Sequence, residues 1–216
     1  MSNPHIIRRR ILAELRLASA LAIGLAILAP SAAGQGRLDW VGEAQRKVVK
    51  VYGAGGLRSM EAYQSGLLVS PTGLVVTAIR FVVVTYVIVV VFADGRRFTA
   101  EWIGSDPLLE LAVLRIPLEQ DGLPYYDLEA VAVAEIGDRV LALSNLFGIA
   151  VGDEPVSALQ GVVSAIAPLN GRRGAFQANY TGEVYVIDAH ANNPGAAGGA
   201  LVDWQGRLIG VLGKEL

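Results

Sequence analysis

From Val48 onward the chain shows no helical period. It runs instead as short blocks rich in Val, Ile and Leu, each bounded by turn signals. Candidate strands are Val48–Tyr52, Gln64–Val69, Leu74–Thr77, Val87–Phe92, Phe98–Gly104 and Ala112–Ile116. A second set follows at Arg139–Ser144, Leu159–Ile166, Glu183–Ile187, Ala200–Val202 and Leu208–Leu212. Ser70-Pro71-Thr72-Gly73, Asp94-Gly95 and Gln205-Gly206 supply tight turns between neighbouring blocks. Many short strands at even spacing imply an all-β barrel or sandwich. The polar stretch Glu119–Ala130, with Gly122 and Pro124, divides the two sets. It predicts a linker (119–130) between a first barrel over 45–118 and a second over 131–216. Leu38–Val49 has the pattern of a short amphipathic helix leading into the first strand.

The N-terminus has a different character. Arg8-Arg9-Arg10 precede an apolar stretch from Leu17 to Ala29, Pro30 breaks it, and Ser31-Ala32-Ala33 offers small residues where a signal peptidase reads. Residues 1–33 therefore read as a secretory signal peptide, and an uncleaved membrane anchor in contact with a bilayer is the alternative. Four of the 18 basic residues (Arg8, Arg9, Arg10, Arg16) and one of the 20 acidic residues (Glu14) lie in it, so its removal takes the formal charge from −2 to −5. An acidic mature chain argues against a nucleic-acid partner. The chain has no cysteine, and its two histidines are His5, within the leader, and His190. Thiolate and multi-histidine metal sites are thereby excluded, and no cofactor is expected.

One face of the strand Val87–Phe92 carries Ile88, Val90 and Phe92, and the other carries Val87, Val89 and Val91. A barrel strand needs a single buried face, so the second calls for cover from the leader, a partner chain, a membrane or the Leu38–Val49 segment.

The blocks resemble, in order and in register, the protease domain of HtrA-type (Deg) serine proteases. Ser65-Gly66-Leu67-Leu68-Val69-Ser70-Pro71-Thr72-Gly73 is similar to the strand and turn before that family's histidine. Gly104-Ser105-Asp106-Pro107 followed by Leu111-Ala112-Val113-Leu114 resembles the segment bearing its aspartate. Gly137-Asp138-Arg139-Val140 through Asn145-Leu146-Phe147-Gly148, and Gly161-Val162-Val163-Ser164-Ala165, match the start of its second barrel. Asn193-Pro194-Gly195-Ala196-Ala197-Gly198-Gly199 looks like the nucleophile loop. The resemblance implies a trypsin-like double β-barrel with its second barrel truncated and no peptide-binding PDZ domain.

In that register the histidine falls on Arg80, the aspartate on Glu110 and the serine on Ala197. A methyl group has no nucleophile to offer, and a guanidinium stays protonated and cannot serve as the base. The resemblance thus implies a pseudoprotease, with Arg80 and Glu110 paired as a salt bridge; Arg80 turned to solvent and Glu110 as a surface residue is the alternative. The Gly195 and Ala197 backbone would keep an oxyanion-hole-like nest, because main chain builds that hole; the glycines equally suit a plain tight turn. His190 lies near this loop. A rebuilt catalyst joining it to Ser144, Ser157 or Ser164 is the enzyme alternative, and a decaying paralogue is the third reading. A binding role implies a protein or peptide partner, such as an active protease relative, or assembly into a homo- or hetero-oligomer.

Overall fold

A computed structural model describes residues 39–53, 62–79, 87–118, 122–173, 176–191 and 193–213. The leader at 1–33 and Arg80 lie outside the described residues. Helix α1 spans Asp39–Arg46. The strands follow as β1 (Val48–Gly53), β2 (Ala62–Leu68), β3 (Leu74–Ala78), β4 (Ile88–Val91), β5 (Arg97–Asp106) and β6 (Leu111–Arg115). The second group is β7 (Arg139–Ser144), β8 (Ser157–Arg173), β9 (Phe176–Ile187), β10 (Ala200–Asp203) and β11 (Leu208–Val211).

The first six strands close into a barrel in the order β1-β2-β3-β6-β5-β4, and the others form a five-stranded sheet ordered β11-β10-β7-β8-β9. All pairings are antiparallel, as expected where turns of a few residues join neighbours. Barrel-like sheets in this arrangement agree with a trypsin-like fold. Along the outer edge of β11, the Ala132 N–H donates to the Leu208 carbonyl at 2.7 Å.

Three apolar clusters follow from strand alternation. Val49, Val51, Leu68, Val75, Val90 and Leu114 fill the first barrel. Val48 and Leu67 point the other way, toward Leu141, Leu143, Ala200 and Val202 of the second sheet, and this cluster joins the two. Val140, Ala142, Val163, Leu201 and Ile209 form the third. The polar 119–130 stretch is more than a tether. Its Tyr126 is buried within the joining cluster and donates its hydroxyl to the Ala44 carbonyl at 2.9 Å, which ties the stretch to α1. Burial pushes the Tyr126 pKa up.

Two expectations are corrected. First, the Val91 end of the second face of β4 is buried by a segment not among the candidates named above, while Val89 is half-buried and Val87 exposed. Val91 pairs across the sheet with Lys50, and Lys50 Nζ donates to the carbonyls of Gly152 and Glu154 at 2.6 and 2.8 Å. A loop of the second sheet therefore lies over the Val91 end of this face. Second, β8 and β9 run well past the blocks Leu159–Ile166 and Glu183–Ile187. Beyond Val163, β8 pairs with β9 alone, as a two-stranded ribbon.

Candidate functional site

The turn Asn193–Gly199 lies between β9 and β10, where both halves of the fold grip it. Ser65, in β2 of the barrel, donates its N–H to the Ala197 carbonyl at 3.0 Å and its hydroxyl to the Gly195 carbonyl at 2.7 Å. The same hydroxyl accepts the Asn145 N–H at 2.8 Å. Phe147 N–H donates to the Pro194 carbonyl at 2.7 Å, Ala196 N–H to Asn193 at 3.0 Å, and Gly199 N–H to Ala196 at 3.0 Å. Each carbonyl from 193 to 197 is thus occupied. Among the described residues, the N–H groups of Gly195 and Ala197 donate to no acceptor.

Peptide planarity gives those two donors their direction. Among the described residues there is no cis bond, so each N–H points opposite the carbonyl of the residue before it. The Pro194 and Ala196 carbonyls face the N–H groups of Phe147 and Gly199, so the Gly195 and Ala197 N–H groups point away from those partners. Glycine is required here. Gly195 and Gly198 have φ of +90 and +80, and a Cβ on either would overlap a carbonyl oxygen, that of Asn145 or of Ser65. Ala197 itself is fully buried.

The surrounding frame is polar, buried and almost wholly satisfied. Gln64 Nε2 donates to Thr77 Oγ1 and the Ala78 carbonyl, and Thr77 Oγ1 donates to the Ser65 carbonyl. Asn145 accepts the Ala150 N–H on Oδ1 and donates from Nδ2 to the Tyr52 hydroxyl, which in turn donates to the Ala150 carbonyl. Among the described residues, Gln64 Oε1 and Ser144 Oγ are buried without a partner. Lys50 is fully buried, and desolvation lowers its pKa, opposed by the nearby carboxylates of Glu154 and Asp153. Glu154 accepts the N–H groups of Gly152 and Val151, and those bonds hold its carboxyl below the ordinary range. Sequence reasoning missed Lys50 as part of this frame. Its one signal was a charge inside the apolar run Val48–Val51.

Glu110 ends the turn before β6 with φ +55, a left-handed value uncommon outside glycine, and its carbonyl accepts the Ile79 N–H at 2.8 Å. The main chain thus sets residue 110 beside the residue preceding Arg80. Phe147, also left-handed at φ +52, is exposed next to the turn. His190 is exposed on the approach to the turn, and its carbonyl accepts from Asn193 Nδ2. Its ring makes no hydrogen bond to Ser144, Ser157 or Ser164 among the described residues, and Ser144 Oγ is an orphan. The geometry therefore lends no support to a catalyst rebuilt on His190.

The comparisons with known proteins agree with this architecture. The family described as "Trypsin-like peptidase domain" matches residues 64–211. The periplasmic serine endoprotease DegP of Escherichia coli is 35% identical over 162 residues, which are 74% of this chain and 31% of that protein. The serine endoprotease DegS of the same organism is 36% identical over 148 residues, 68% of this chain and 38% of that one. A solved structure titled "HtrA-type protease AlgW with tripeptide" superposes with a TM-score of 0.62 at 31% identity, covering 80% of this chain and 52% of the other. This chain therefore spans about a third of the length of these curated relatives. On fold, register and sequence together, the chain belongs to the HtrA/Deg-type trypsin-like serine protease family.

Proposed function

We propose that this chain is a non-hydrolytic member of that family, and that it binds extended polypeptide at the preserved nucleophile turn. One observation carries the reading: the turn keeps its full hydrogen-bonded frame around a methyl group, Ala197. With no hydroxyl there is no acyl transfer, while the N–H pair that would face a peptide carbonyl is intact. Arg80 and Glu110 act together as an ion pair in place of a proton relay. The Ile79–Glu110 main-chain bond supports their proximity, and arginine's permanent charge rules it out as a base. The leader directs export. The names of the DegP relatives, which place those proteins in the periplasm, support that compartment.

The test treats the full chain with a fluorophosphonate probe and, separately, with fluorescein-labelled unfolded casein. The expected result is no covalent labelling, no cleavage and saturable casein binding. Labelling or cleavage would overturn the non-hydrolytic reading, and absence of casein binding would overturn the binding role.

A further inference from the structure

We infer that the open sheet accepts a strand between β9 and β11 from a partner polypeptide, an extended segment with apolar residues at alternate positions. This contact uses no residue of the 193–199 turn, so it goes beyond the function proposed above.

The first barrel shows where the strand belongs. There β6 pairs with β3 on one side and with β5 on the other. The open sheet repeats the same order, with β7, β8 and β9 standing as β1, β2 and β3 do, and β10 and β11 as β4 and β5 do. β10 pairs with β7 as β4 pairs with β1. Among the described residues, no strand takes the position of β6, between β9 and β11.

Main-chain direction marks both edges. Asp188 N–H donates to the Val162 carbonyl, toward β8, and Leu212 N–H donates to the Gly199 carbonyl, toward β10. Both peptide bonds are trans, so the Ile187 and Val211 carbonyls point the opposite way, out of the sheet edges. The two edges border one space. Ala132 N–H donates to the Leu208 carbonyl on β11, and Ala134 N–H donates to the hydroxyl of Tyr185, on β9, at 3.4 Å. That stretch makes no other main-chain bond to β11 among the described residues, and Ile209–Val211 continue beyond it.

Side-chain exposure agrees. In the closed barrel, Val75 of β3 and Leu114 of β6 are fully buried. On β9, Tyr185 and Ile187 pack against the cluster of Val163 and Ile209 yet are only half-buried. Ile166, paired with Tyr185 and therefore on the same face, is 40% exposed. The inner face of the open sheet is thus reachable from the side where β6 closes the first barrel.

β6 also sets the chemistry of the occupant. It is 5 residues long, with Ala112 and Leu114 buried inside the barrel and Arg115 exposed. A segment of that pattern places two apolar side chains against Tyr185, Ile187 and Ile209 while its main chain bonds to both edges. Strand addition of this kind draws affinity from the main chain and selectivity from alternate side chains, and closure protects edges that otherwise invite aggregation.

The test follows amide hydrogen exchange of the full chain with three acetylated, amidated peptides. One alternates Val and Thr between terminal lysines, one carries the same residues with all Val in one block, and one is the alternating peptide N-methylated at every second residue. The alternating peptide is expected to slow exchange within Tyr185–Ile187 and Ile209–Val211 about tenfold, and the other two to leave it unchanged. Protection confined to residues 193–199 overturns this inference and leaves the proposed function standing. Equal protection by the block peptide overturns the alternate pattern, and equal protection by the N-methylated peptide overturns pairing at both edges. Protection of the same edges that grows with protein concentration alone overturns the partner and assigns the position to a second copy of this chain. If no peptide protects either edge while casein binds, the inference falls alone; if casein also fails, the proposed function falls by its own test.

Discussion

The Ser65 hydroxyl, on the closed barrel, donates to the Gly195 carbonyl, in the turn that leads into β10 of the open sheet, across 2.7 Å. The same oxygen accepts from the Asn145 N–H. One buried side chain thereby fixes both the turn and the strand end beside it, and the shape of the turn depends on contacts made by the opposite half of the fold. Ser65→Ala leaves the Gly195 carbonyl and the Asn145 N–H buried and unpaired. The expected cost is about 2–4 kcal/mol, read by urea unfolding, together with weaker peptide binding. Unchanged stability would show that the two halves hold the turn without this hydroxyl.

Gly198→Ala forces a Cβ against the Ser65 carbonyl at a φ that L-residues avoid. Two penalties act together, so destabilisation of about 3 kcal/mol or more is expected, with loss of soluble protein at 37 °C. A thermal melt that matches the wild type would mean the turn is free to shift.

Lys50 supplies a pH signature. Its pKa in the folded state lies below its ordinary value, so between the two values the unfolded chain holds more protons than the folded one. Stability contributed at this site therefore rises as pH climbs through that alkaline window. Lys50→Met removes the rise. It also leaves the Gly152 and Glu154 carbonyls without their donor, at an expected cost of about 1–3 kcal/mol near neutrality. Chemical denaturation of both proteins from pH 7 to 10 tests the sign, and parallel pH profiles would refute the assignment.

Glu110→Gln keeps shape and removes charge. If Glu110 pairs with Arg80, the variant loses about 1 kcal/mol and shows a weaker salt dependence of stability than the wild type. Identical unfolding curves at low and high salt would count against the ion pair.

Ala197→Ser restores a hydroxyl but no neutral base. The expected outcome is no measurable turnover of fluorogenic casein and no labelling by a fluorophosphonate. Turnover in this variant would mean that some other group is accepting the proton.

Most strands were legible because apolar alternation and Gly- or Pro-bearing turns are local signals. Arg139–Ser144 of the open sheet falls where expected, and the strands of the barrel shift by only a few residues at their ends. The outer part of the ribbon, past Ile166 on β8 and before Glu183 on β9, was not legible. Pro168, Gly171 and Gly182 punctuate it in a manner that reads as loop, and its pairing partner is set by the antiparallel register rather than by residue preference. Lys50 escaped for a related reason. Strand alternation assigns it to the outward face, and only a loop about 100 residues away, brought over by the second sheet, buries that face. Within the candidate site, Gly195 and Ala197 could be named from their motif. Ser65, Asn145 and Phe147, which hold them, could not, because each acts through a contact between distant segments.

The Ile79–Glu110 bond has a consequence for how such a chain can change over time. It is formed by backbone atoms alone, so it survives replacement of either side chain at the surrounding positions. Catalytic competence can vanish or return through a handful of codons while the architecture beneath stays untouched. Selection can consequently keep the scaffold for one purpose long after discarding the reaction for which its spacing was suited.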